Sequence, residues 1–130
     1  MHALVIDPTG VIAHHDLDLE PGHGLNTLQG LLGGWIDALQ LTNDLVVWIR
    51  DDHTGLDPNP LTTGVVASLT GQVHLISGVA VFTSTTDQGE TAALTPIHVT
   101  TLTQLTSAWH AREHVLDRIS AATRVKQAWL

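Results

Sequence analysis

His110-Ala111-Arg112-Glu113-His114 has the H-x-x-E-H spacing of one class of zinc peptidases. On a helix, histidines four apart face the same way and can share a zinc ion, with the glutamate between them available as general base. Asp117, three residues beyond His114, would add an oxygen ligand. Those enzymes also take a glutamate from a later helix, for which a chain ending at Leu130 leaves no room. A five-letter match also arises cheaply among nine histidines. The reading that asks least is a solvated helix face, so no cofactor is expected, with zinc at His110, His114 and Asp117 as the ion the pattern would take.

Three other histidines sit close to carboxylates in the sequence. His14-His15 precedes Asp16, and His53 follows Asp51-Asp52. Adjacent strand residues point to opposite faces, which keeps His14 and His15 from sharing one ion. No Gly-x-Ser-x-Gly, P-loop or dinucleotide fingerprint occurs. The run from Asp51 to Pro60 is crowded with turn formers and reads as a loop, and loops carry function. Asp51, Asp52, His53, Asp57 and Asn59 are therefore candidate binding residues. Trp35 and Trp48 fall on expected neighbouring strands, where they either pack the core or stack a ligand.

These side chains need elements to place them. Leu25, Leu28, Leu31 and Leu32 recur at helical spacing, and Gly33-Gly34 stops that helix and turns the chain into a strand from Trp35. Thr42-Asn43-Asp44 is turn chemistry ahead of Leu45 to Ile49, giving two antiparallel neighbours. His2 to Ile6 reads as a strand stopped by Asp7-Pro8-Thr9-Gly10, and Val11 to Glu20 alternates as a second. Asn59-Pro60 has the chemistry of a helix start, with Leu61, Val65 and Leu69 as its apolar edge and Gly64 as a weak point. Ile76 to Thr83 reads as a strand bent at Gly78, and Asp87-Gln88-Gly89 turns into a last strand over Thr91 to Leu94.

The chain has 130 residues, 43% of them hydrophobic, and no cysteine. That length suits one domain, and the missing cysteines exclude disulfides and thiolate chemistry. No apolar run is long enough for a bilayer and no signal pattern opens the chain, so a soluble, cytoplasmic protein with no membrane partner is expected. The formal net charge is -8, and up to Thr100 only Arg50 is basic. Such a body repels phosphates, which argues against direct nucleic-acid binding. Asp16, Asp18 and Glu20 share one strand face, and an acidic surface of that kind can also occupy a DNA-binding enzyme by mimicry.

Pro96 is read as closing the body. From about Thr101 nearly to the end, Leu102, Leu105, Trp109, Leu116 and Ile119 share one side of a helix, widened by Val115, Ala122, Val125 and Trp129. Such a helix would be on the order of 45 Å long and would overhang a small domain. Leu105, Trp109, Leu116, Ile119 and Trp129 are therefore expected to hold a homo-oligomer, most simply a dimer. The expected architecture is α+β: residues 1–96 form a small mixed or antiparallel sheet with two short helices, and residues 97–130 form a long C-terminal helix.

The order of Gly33-Gly34-Trp35-Ile36-Asp37, Val47-Trp48-Ile49, Pro58-Asn59-Pro60 and Ile76-Ser77-Gly78-Val79-Ala80-Val81 resembles a family of small proteins from phages, plasmids and integrated elements. That family is catalogued as a domain of unknown function. The resemblance spans roughly residues 2–94 and implies an accessory protein of a mobile element, with no catalytic residues to carry over. The expected function is non-enzymatic: binding of a host or element protein through the acidic surface, with inhibition of a host defence as one role. The alternative is a small-molecule binder or a metal-dependent hydrolase using the C-terminal histidines.

Overall fold

A computed structural model describes residues 1–20 and 22–127, and the side chains of 1–20 and 22–112. The elements run β1 (His2–Ile6), β2 (Ile12–Asp16), α1 (Gly24–Leu32), β3 (Ile36–Gln40), β4 (Leu45–Arg50), α2 (Pro60–Thr70), β5 (Ala80–Thr85), β6 (Thr91–Ala92) and α3 (Pro96–Gln127). The fold is α+β. All pairings are antiparallel, in the order β2-β1-β5-β4-β3, with β6 attached to β5.

Strand β5 lies between β1 and β4, and Ala80 to Ser84 are all buried. Its alternation divides the interior in two. Ala80 and Phe82 join Leu4, Ile6, Val47, Leu61, Val65 and Leu102 on the face covered by α2 and the first turns of α3. Val81 joins Ala3, Val5, Leu28 and Leu32 on the face covered by α1. The sheet is thus a middle layer between helices, and Ala80, Val81 and Phe82 follow one another on the central strand without polar alternation because neither face meets water there.

Gly33 closes α1 with φ +85°, and its N–H donates to Gln29 O. That conformation is costly for a residue with a β-carbon. Gly34 has a different reason: a β-carbon there would lie 2.9 Å from Arg50 Nε, because the Arg50 side chain crosses the turn.

Asn59 is fully buried. Its Oδ1 accepts the Thr62 N–H at 3.1 Å and caps α2 ahead of Pro60. Its Nδ2 donates to Ile6 O at 3.0 Å and to Gly78 O at 2.9 Å. One amide therefore ties α2 to the end of β1 and to the approach of β5.

Several boundaries differ from the sequence expectation. Helix α3 begins at Pro96 instead of about Thr101, because proline needs no N–H at a first helical position. Thr95 caps it: Thr95 Oγ1 accepts the His98 N–H at 3.3 Å, while His98 Nδ1 accepts the Thr95 N–H at 3.1 Å. The exchange has the form of a capping box with histidine in the usual glutamate place. Since Nδ1 accepts, Nε2 carries the hydrogen and faces Asp44 Oδ2 at 3.1 Å. Strand β2 stops at Asp16, short of Glu20, and β5 begins at Ala80 because Gly78 turns the chain at φ +80°.

Asn59→Ala should lower unfolding free energy by on the order of 3 kcal/mol in urea titration, from the lost cap together with two carbonyls left without their partner. The Asp44 carboxyl lies below its ordinary range, first because the Thr42 hydroxyl donates to it and then because His98 faces it. A depressed carboxyl stabilises the fold above its unfolded value of 3.8, and that contribution is lost as pH falls through the folded value. Unfolding midpoints between pH 5 and about pH 3 should therefore fall less steeply in Asp44→Asn than in the parent chain.

Candidate functional site

The acidic loop is held at both ends. Asp51 N–H donates to Trp35 O at 2.8 Å, and Gly78 N–H donates to Asp57 O at 2.8 Å. Inside it, Asp52 Oδ1 accepts the Thr54 N–H at 2.9 Å, which is the main reason its carboxyl lies below the usual range. Leu56 packs over Gly78, where a β-carbon would meet Leu56 Cδ1 at 2.9 Å. Asp51, Asp52, His53 and Asp57 are exposed along this anchored backbone. Asn59, predicted alongside them, instead has its whole amide engaged inside the protein.

The two candidate tryptophans are not brought together. Trp48 packs toward α1 and donates from Nε1 to Thr83 Oγ1 at 2.9 Å. Trp35 is 74% exposed beside Asp51. Trp48 pairs with Ala38, and Trp35 lies three residues before Ala38, an odd step that sends it to the other face.

Beyond Pro58 the loop opens onto a groove of about 510 Å³, walled by α2, the segment 73–77 and Trp109. Its lining is almost wholly apolar, including Pro58, Pro60, Ala67 and Ile76. Val73 and Leu75, at 74% and 85% exposed, extend the apolar surface at its edge. Trp109 lies flat on α2: a β-carbon on Gly64 would come within 2.6 Å of Trp109 Cδ2. The indole N–H donates to Ser68 Oγ at 2.9 Å, and Ser68 Oγ donates to Gly64 O at 3.0 Å. Arg112 covers the indole from outside, 4.8 Å from the ring centre. Gly64, expected only to weaken α2, is where the two helices meet.

Leu105 and Trp109, expected at an oligomer contact, pack against this chain's own core. The side chains of Leu116, Ile119 and Trp129 lie outside the described residues, as do those of His114 and Asp117. The remaining metal candidate, His110, is exposed and faces Gly10 between β1 and β2. Among the described residues no three His, Cys, Asp or Glu side chains converge as a metal site. No helix of the described residues is long and apolar enough to cross a membrane.

A family model for a domain of unknown function, DUF3846, matches residues 1–107. The chain belongs to the DUF3846 family. The match takes in the whole sheet, all three layers and α3 as far as Ser107, two residues short of Trp109, so DUF3846 here includes the helical turns that bury Leu102. No curated protein and no solved structure matches the chain significantly. The groove had no signal in the sequence of this DUF3846 domain, because its walls come from three separate segments.

Gly64→Ala should destabilise the protein although alanine is intrinsically the better helix residue by about 1 kcal/mol. In a Trp109→Ala background the same change should become neutral or stabilising, and a double-mutant cycle by chemical denaturation would read that reversal of sign.

Proposed function

We propose that this chain is a non-enzymatic binding module that takes an apolar, positively charged segment of another protein across the groove and the acidic loop. One observation carries the reading: an anchored loop exposing Asp51, Asp52 and Asp57 runs directly into an apolar groove edged by exposed Val73 and Leu75. An apolar centre with a charged margin is the ordinary anatomy of a protein contact. The charged margin would guide encounter and orientation while the groove supplies the burial. In the mobile-element setting that the family resemblance implies, the partner is a host or element protein, and inhibition of a host defence is one outcome of such binding.

Affinity capture should use the full chain, Leu75→Asp, and the pair Asp51→Ser with Asp52→Ser. Leu75 is so exposed that its replacement should leave stability within about 0.5 kcal/mol. The reading expects one partner rich in lysine and arginine, weakened by salt and lost in both variants. An identical captured set from all three proteins would count decisively against it. A second reading rests on the groove alone, whose volume and lining suit an apolar small molecule. Native mass spectrometry of the purified chain would then show a bound mass that Leu75→Asp reduces and the aspartate changes leave in place.

A further inference from the structure

The hairpin of β1 and β2 brings together two imidazoles that were unrelated in the sequence. Leu4 pairs with His14 and His2 with Asp16, so His2 and His14 are diagonal neighbours on one face of the sheet. Their rings meet at their edges: His2 Nε2 lies 3.0 Å from His14 Nδ1, with ring centres 5.0 Å apart and planes tilted by 39°. We propose that His2 and His14 form a two-nitrogen chelate for a late first-row divalent cation, Cu²⁺, Ni²⁺ or Zn²⁺.

Geometry is the first support. Two imidazole nitrogens on one ion at about 2.0 Å bond length stand about 2.8 Å apart at a right angle and about 3.3 Å apart in a tetrahedron. The observed 3.0 Å falls between these values. Without a metal the same contact is an N–H···N hydrogen bond. Ligation needs a lone pair from each nitrogen, so the donating ring moves its hydrogen to its other nitrogen and the neutral pair loses no net proton.

Preorganisation is the second support. Both α-carbons are fixed by the β1–β2 ladder, so holding the rings together costs less entropy than gathering them from loops. Access is the third. A shallow depression lined by His2, His14, Leu94, Pro96, Val99 and Thr100 opens beside the rings, and His14 is exposed. Asp16, the nearest carboxylate in the register, is engaged by the Met1 ammonium. Among the described residues no third side chain completes a set of three. The remaining positions on the ion therefore belong to water or to a further ligand. Imidazole suits these metals, and affinity should follow Zn²⁺ below Ni²⁺ below Cu²⁺.

Two-bond ¹H–¹⁵N spectra of the imidazoles, recorded on the full chain during titration with ZnCl₂, would read the site ring by ring. The ring signals of His2 and His14 should shift together and saturate, while those of His15 and His53 stay in place. His14→Gln, a change at an exposed position, should weaken zinc binding by at least about tenfold, since losing even an outer partner of a ligand costs that much. His15→Gln should leave binding unchanged. Zinc shifts confined to other histidines, such as His110 and His114, would overturn the proposal, as would His14→Gln binding zinc as tightly as the parent.

Discussion

The buried amide of Asn59 fixes the relation between the sheet and its helices. Its oxygen holds the start of α2, and its nitrogen reaches the last residue of β1 and the turn before β5. A buried amide without partners would cost free energy, so this one is tolerable only when all three segments are in place. The same requirement makes it specific. Sliding α2 along the sheet would break bonds of fixed direction, whereas an apolar contact could adjust.

Much else follows from that placement. With α2 docked, Leu61 and Val65 meet Phe82, and the bare backbone at Gly64 is presented to Trp109. Helix α3 is then located at two points: the indole on α2, and the Thr95-His98 cap near the β3–β4 turn. The groove is what remains between α2, the segment after it and the indole wall. Its apolar character and its position beside the acidic loop are by-products of how the core was closed, and the proposed binding rests on those by-products.

Local chemistry made much of this fold legible in the sequence. Gly33-Gly34, Asn43-Asp44 and Asn59-Pro60 mark ends and turns by conformational preference alone, and the structure has them there. Pro96 was misread because proline both ends helices and begins them; Thr95 before it and His98 after it were the signal for a beginning. Gly64 was misread because propensity is a local quantity, while the reason for that glycine comes from Trp109, forty-five positions later in the chain. The acidic loop was visible as composition. The groove and the His2–His14 contact were not, since each depends on which strand or helix lies beside which.

The strand order leaves β2 and β3 at the margins of the sheet, where among the described residues main-chain groups face outward without a neighbouring strand. On β3, Asp51 donates to Trp35 O, so the odd-numbered residues turn their backbone groups toward β4 and Ala38 turns its N–H outward. That N–H is taken by Asp37 Oδ1 at 2.9 Å. A strand from another molecule that tried to extend the sheet at this point would have to displace a carboxylate and bring its own carbonyl against that charge. Five-residue length and a charge folded back on its own backbone are among the ways proteins guard such margins. Bonded among the described residues to its own strand, the Asp37 carboxylate stands where a sheet would otherwise be open to growth.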